Sequence, residues 1–326
     1  MARIGHFLTI SALLVACGGS APARTAAATT TRLTYVKGSS VYIARADGSH
    51  PKRLAKGGFP ALAPNGRWIA YVSSGADEVR LIPPSGGEFL QTTIDDEGLY
   101  GVKFAPNSKY VGVTSGDRLY VNEINTGETI KTPKGAVQGW SFAPDSKRLV
   151  YAKAKAGAEY PAASDLYVFD LSTHRSTRIS TDRTSLNPLW TKQGIVYDQV
   201  VGGKFELRLR NDTGGDIQVL VDTPPATDDL TFGLSPVAAS SDGRRILASL
   251  EGQSRSTPFA VEGGAARSLG ENDGFVPTGL ARDGSAVLGF TGLGDPGNPH
   301  DVLSLPWGGG APTKLVANAL WGRWNR

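Results

Sequence analysis

Cysteine and methionine are nearly absent from the 326 residues: there is one Cys and one Met, and the Met is the initiator. One cysteine cannot close an intramolecular disulfide and is too few for a thiolate metal site, so both are excluded. Histidine is also scarce. Beyond the leader only His50, His174 and His300 remain, none at metal-ligand spacing from another, and each reads as a solvated loop residue. Long apolar runs are missing, since nothing approaches the roughly 18 consecutive apolar residues of a membrane-spanning helix. Charge of one sign is not in excess either. Lys and Arg number 34 against 30 Asp and Glu, a net +4, too little to argue for a nucleic-acid partner. No G-x-S-x-G nucleophile elbow occurs. Gly292 to Gly297 matches G-x-G-x-x-G, but Pro296 and Pro299 forbid the helix whose N-terminus would hold a phosphate. No metal, cofactor or catalytic residue is expected.

The one cysteine is well placed. Arg3 precedes an apolar stretch, Phe7 to Ala16, whose length of about ten residues suits an export signal and is too short to span a bilayer. The stretch ends in Leu14-Val15-Ala16-Cys17, followed by Gly18-Gly19-Ser20. This resembles the bacterial lipobox, in which the cysteine receives diacylglycerol and becomes the mature N-terminus. The resemblance implies a signal peptide at 1–16, lipid attachment at Cys17, and an extracytoplasmic protein held on a bacterial membrane. That membrane is the outer face of the cytoplasmic membrane, or the outer membrane or periplasm in a Gram-negative cell. Two or more acyl chains give stable anchoring where one does not. Residues 17–32 are small and polar, a flexible tether about 20 Å in reach.

Glycine and proline, at 41 and 20 residues, are abundant. They punctuate a repeat. An apolar segment, an Ala-Pro-Asn/Asp-type turn, a strand, a loop, a strand, a tight turn and a last strand recur along 33–326, most clearly from Trp140 to Asp170. The residue before the first turn is Leu62, Phe104, Phe142, Trp190, Ala239, Leu280 and Trp324, at intervals of 38 to 49 residues. Second strands at Leu33–Val36, Trp68–Val72, Tyr110–Thr114, Arg148–Ala152, Ile195–Asp198, Ile246–Leu250 and Ala286–Thr291 also number seven. Four short strands at such a period predict an all-β, seven-bladed β-propeller of four-stranded antiparallel blades. The first unit lacks a first strand, and Leu320 to Asn325 resembles one with nothing after it. The C-terminal strand is therefore expected to complete the first blade and close the ring.

The wording of these units, Phe142-Ala143-Pro144-Asp145-Ser146 with Leu149-Val150-Tyr151 and Ala63-Pro64-Asn65-Gly66 with Ile69-Ala70-Tyr71, resembles the TolB-type, WD40-like propeller repeat. The resemblance spans about 290 residues and implies architecture rather than activity. TolB itself has six blades behind an N-terminal α/β domain; here the count is seven, after only a tether. A role in the Tol–Pal envelope system therefore does not carry over.

The loops entering each repeat share a face with those between second and third strands. Asp95, Asp96 and Glu97, Glu159 and Tyr160, Asp182 and Arg183, Asp228 and Asp229, and Glu271 and Asp273 fall there. Such acidic clusters would focus a negative potential at one channel mouth, suited to a basic peptide or a partner's Lys/Arg patch. The opposite rim, made of tight turns, is expected to leave less room for a site. Trp140, Trp190, Trp321 and Trp324 on first strands read as packing between blades. The function expected is a monomeric, non-enzymatic scaffold that binds a protein or peptide at the cell envelope. Two alternatives are a secreted hydrolase or lyase using Asp228 or Asp229 with Asp182, and glycan binding through Tyr160 and Trp307. A buried carboxylate pair of raised pKa would mark the enzyme.

Overall fold

Short apolar segments ended by Gly, Asn or Asp make a body that is strand and turn throughout its described residues. The computed structural model describes residues 31–75, 77–92, 94, 96, 98–115, 117–158, 162–215, 217–222, 231–252, 256–270, 275–291 and 300–325. Cys17, the leader and most of the tether lie outside them, as do Asp95, Glu97, Glu159, Tyr160, Asp228, Asp229, Glu271 and Asp273.

The first six strands are β1 (Arg32–Lys37), β2 (Ser40–Arg45), β3 (Lys52–Leu62), β4 (Ile69–Ser73), β5 (Val79–Ile82) and β6 (Leu90–Gln91). Four-stranded sheets follow in chain order. They are β7 (Tyr100–Phe104), β8 (Tyr110–Ser115), β9 (Arg118–Glu123) and β10 (Thr129–Lys131); then β11 (Val137–Phe142), β12 (Arg148–Ala154), β13 (Ser164–Asp170) and β14 (Ser176–Arg178). Next come β15 (Ser185–Thr191), β16 (Gly194–Val201), β17 (Lys204–Arg210) and β18 (Gln218–Asp222); then β19 (Thr231–Ala239), β20 (Arg245–Gly252), β21 (Ser256–Glu262) and β22 (Ala265–Ser268). The last are β23 (Val276–Leu280), β24 (Ala286–Phe290), β25 (Val302–Pro306) and β26 (Thr313–Val316), followed by β27 (Leu320–Trp324).

These are antiparallel propeller blades, but their partition corrects the repeat count. Five blades are separate four-stranded sheets, and the other seven strands form one sheet in the order β27-β1-β2-β3-β4-β5-β6. The expected seven four-stranded blades, with the C-terminal strand completing the first, are therefore not the arrangement found. The physical cause is β3, whose eleven residues run without interruption. Its first half pairs with β2, from Lys52 opposite Ile43 to Lys56 opposite Ser40. Its second half pairs with β4, from Gly57 opposite Ser73 to Leu62 opposite Ile69. β27 is the edge strand of this sheet, hydrogen-bonded to β1.

Apolar side chains on both faces of the sheets pack between neighbours. One cluster joins Leu119 and Val121 of β9 to Trp140, Leu149, Tyr151 and Phe169 of the next blade. Another joins Leu33 and Tyr35 of β1 to Leu288, Phe290 and Val302, with Trp321 and Trp324 of β27 packed on it. Second strands carry a recurrent tyrosine, and Tyr35, Tyr71, Tyr151 and Tyr197 are all fully buried. Burial pushes the Tyr151 hydroxyl up to about 12, while it shares a 2.7 Å hydrogen bond with Ser176 Oγ.

One irregularity repeats. The pairing register slips at Gly58/Ala61, Tyr100/Lys103, Val137/Trp140, Leu186/Leu189, Pro236/Ala238 and Pro277/Gly279, always in the first strand of its unit. Three residues before the repeat's Leu62, Phe104, Phe142, Trp190 and Trp324 stand Phe59, Gly101, Gly139, Asn187 and Trp321, every one with positive φ. The corresponding positions before Ala239 and Leu280 are Pro236 and Pro277. Such bulges bend a strand and re-aim the side chains that follow.

Candidate functional site

The residues that follow those bulges surround a cavity of about 610 Å³. Leu62, Phe104, Phe142, Trp190, Ala239, Leu280 and Trp324, the very positions that define the repeat, all line it. They come from β3, β7, β11, β15, β19, β23 and β27. The cavity reaches the turns between first and second strands, where Asn65, Asn107, Ser241 and Arg282 border it. The rim expected to leave little room is thus the one the cavity reaches.

Those turns are locked to one another. Asn65 N–H donates to Ser108 Oγ and Asn107 N–H to Ser146 Oγ, both at 3.0 Å. First strands are stitched the same way. Lys103 Nζ donates to the Trp140 carbonyl at 2.6 Å, Trp190 N–H to Ser141 Oγ at 2.6 Å, and Thr278 Oγ1 to the Gly322 carbonyl at 2.5 Å. A site built on such strands is rigid before any ligand arrives.

Lys103, Arg282 and Arg323 line the cavity, and among the described residues no Asp or Glu does. Lys103 also lies 4.8 Å from the centre of the Trp140 ring. Arg323 is partly buried, and loss of water around its guanidinium pulls its pKa below the usual arginine value.

Three members of the predicted acidic rim are described, and none of them lines the cavity. Asp96 Oδ2 accepts a 2.6 Å hydrogen bond from Tyr120, whose hydroxyl is pushed up to about 12 by burial and then by that contact. Asp182 is exposed and accepts bonds at 2.8 Å from both Thr184 N–H and Ser185 Oγ, so it shapes its own loop. Arg183 has φ 58° and donates its backbone N–H to Asp165 Oδ1 at 3.0 Å.

The tryptophans divide. Trp140 is 4% exposed and packs edge-on against Phe142, ring centres 5.3 Å apart, as the packing reading requires. Trp190 and Trp324 pack against core clusters too, and they also line the cavity. Trp307, named for glycan stacking, is buried and donates its indole N–H to Glu262. His50 and His174 are exposed at turns, whereas His300 is half-buried, its ring on the Thr291 carbonyl.

Sequence reasoning passed over two carboxyls. Burial pushes the Asp198 carboxyl up to about 6, against hydrogen bonds from Asn187 Nδ2 at 3.1 Å and Ser235 Oγ at 3.2 Å that favour its charge. Its other oxygen, Oδ1, has no hydrogen-bond partner. Glu251 is also raised, by burial, and its charge adds to the shift of Asp198. Neither is among the described residues that line the cavity. Among the described residues no group of His, Cys, Asp and Glu is arranged to hold a metal ion.

No protein-family model matches the sequence, and no curated protein matches it. Solved structures match its fold. TolB from Acinetobacter baumannii aligns at 15% identity and TM-score 0.56, over 90% of this chain and 66% of that one. The fold is a TolB-like β-propeller. This chain spans just under two thirds of that TolB. A puromycin-hydrolyzing peptidase from Mycobacterium tuberculosis aligns at 14% identity and TM-score 0.63, over 89% of this chain and 52% of the peptidase. An oligogalacturonate lyase from Vibrio parahaemolyticus aligns at 13% and 0.57, over 88% and 85%. Likeness at these identities establishes the propeller fold alone, which hosts unrelated activities.

Proposed function

We propose that the protein is an extracytoplasmic propeller, anchored by lipid at Cys17, that binds a protein or peptide without transforming it. The observation that carries this reading is the cavity bordered by the repeat-defining residues of seven strands. Its volume lies within the range of about 300–1,000 Å³ common to ligand sites. Its walls are apolar and aromatic with a few polar groups, and the strands beneath are hydrogen-bonded to one another, a geometry for recognition. The lipobox-like sequence around Cys17 supports the anchor.

The test is crosslinking in the producing cell. A photo-activatable residue placed at Ser241, exposed beside the cavity, should capture a reproducible partner; one at Thr313, exposed on β26, should not. Cys17→Ser should release the protein from the membrane fraction. Equal capture from both sites, or none from Ser241, would refute the cavity as the recognition site.

A further inference from the structure

Resting on that reading, we propose that the turn-side part of the cavity binds the C-terminal carboxylate of a polypeptide ending in an apolar residue, held by Arg323. Several partly buried arginines have anionic partners, Arg80 with Glu78, Arg148 with Asp212 and Asp145, and Arg208 with Glu206, while Arg210, buried away from the cavity, donates to the Gly214 carbonyl and has no ion pair among the described residues. Among the described residues Arg323 also has no anionic partner, and its guanidinium makes no hydrogen bond there. It sits in the wall of a cavity that holds Lys103 and Arg282 as well and, among the described residues, no carboxylate. A partly buried guanidinium that faces a cavity without an anion loses some of its hydration for no electrostatic gain, and an incoming carboxylate offsets that cost. The planar fork of arginine also matches a carboxylate through two parallel hydrogen bonds.

The body attached to that carboxylate follows from the walls. Phe104, Phe142, Leu189, Trp190, Leu280 and Trp324 offer apolar surface around the cation. Of the hydroxyls nearby, Ser108 and Ser141 accept backbone N–H groups and Thr278 donates to a backbone carbonyl, while Ser241 lies exposed at the edge. A polyhydroxylated acid would find few partners against the apolar walls, whereas an apolar side chain needs none. Arg282, exposed on its turn, adds positive potential where the ligand enters.

The test uses the full-length protein in detergent and calorimetric titration with an N-acetylated tripeptide ending in phenylalanine, as free acid and as C-terminal amide. The acid should bind at least about 10-fold more tightly than the amide, as a charge-assisted hydrogen bond implies. Arg323→Gln should abolish that preference, and Arg323→Lys should keep part of it. Arg282→Gln, on an exposed turn where it does not threaten folding, should weaken the acid and leave the amide unchanged. Equal affinity of acid and amide, no binding of the acid, or displacement of the acid by equimolar inorganic phosphate would each overturn the proposal. If Ser241 still captures a partner while the acid fails to bind, this inference falls and the binding function stands.

Discussion

Asp198 is a carboxyl held almost without water, and its protonation sets a measurable part of the stability. Its pKa rises to about 6 in the folded protein from the 3.8 of a free side chain, because burial disfavours the anion. A carboxyl raised on folding holds its proton more tightly when native, so its contribution is most favourable at low pH. That contribution is lost as pH rises from about 4 through about 6, and the full loss is about 3 kcal/mol. Roughly 2–2.5 kcal/mol of it falls between pH 4 and 7.5. Asp198→Asn removes the titration and keeps an oxygen for Asn187 and Ser235. The amide nitrogen takes the place of the unpartnered Oδ1, at a cost of about 1–3 kcal/mol that does not change with pH. The decisive quantity is therefore the change in mutant-minus-wild-type stability between the two pH values. Urea unfolding at pH 4 and 7.5 should show the variant gaining about 2–2.5 kcal/mol on the wild type as pH rises. The same offset at both pH values would refute the account of Asp198 as a buried acid charged only above about 6.

Two further perturbations test the packing. Deleting Asn318–Arg326 removes Trp321, which lies against Phe59 and Phe290, and Trp324, which donates to the Ala46 carbonyl. Truncating a fully buried tryptophan costs about 3–5 kcal/mol; Trp321 and Trp324 are half-buried, yet losing both together with the strand that carries them takes a large share of the stability of a typical domain. Thermal melts should show the cooperative transition lost or lowered by many degrees; an unchanged midpoint would refute that weight for β27. In Gly112→Ala, the new Cβ would stand 2.5 Å from the Trp140 ring, so overpacking should cost about 1–3 kcal/mol in urea unfolding. Wild-type stability in that variant would mean that Trp140 is free to move.

Much of the fold was legible because strands and hairpins are local. Apolar alternation and turn residues such as Asn65-Gly66 and Asp145-Ser146 mark where a strand must end, and β8 at Tyr110–Ser115 and β12 at Arg148–Ala154 lie where the spacing puts them. The division into sheets was not legible at β3. Nothing between Lys52 and Leu62 forces a break, so one strand serves both β2 and β4. The site was harder still. Asp182 is visible as a charge, but only its distance to Thr184 and Ser185 shows that the charge is spent on its own loop. Asp198 reads as one more polar residue in Val196-Tyr197-Asp198-Gln199 until neighbouring sheets enclose it.

By itself the sequence determined the repeat, its strands and its tight turns, because each depends on residues close along the chain. It also carried the lipobox-like signal at Cys17. Only the tertiary structure decided which strands share a sheet, and that residues some 40 to 50 positions apart converge on one cavity. Bulges three residues upstream turn the ends of the first strands, and the resulting wall holds Arg323 with no counter-ion among the described residues. A charge finds or lacks its partner only when the chain is folded, because partnership is a matter of distance in space.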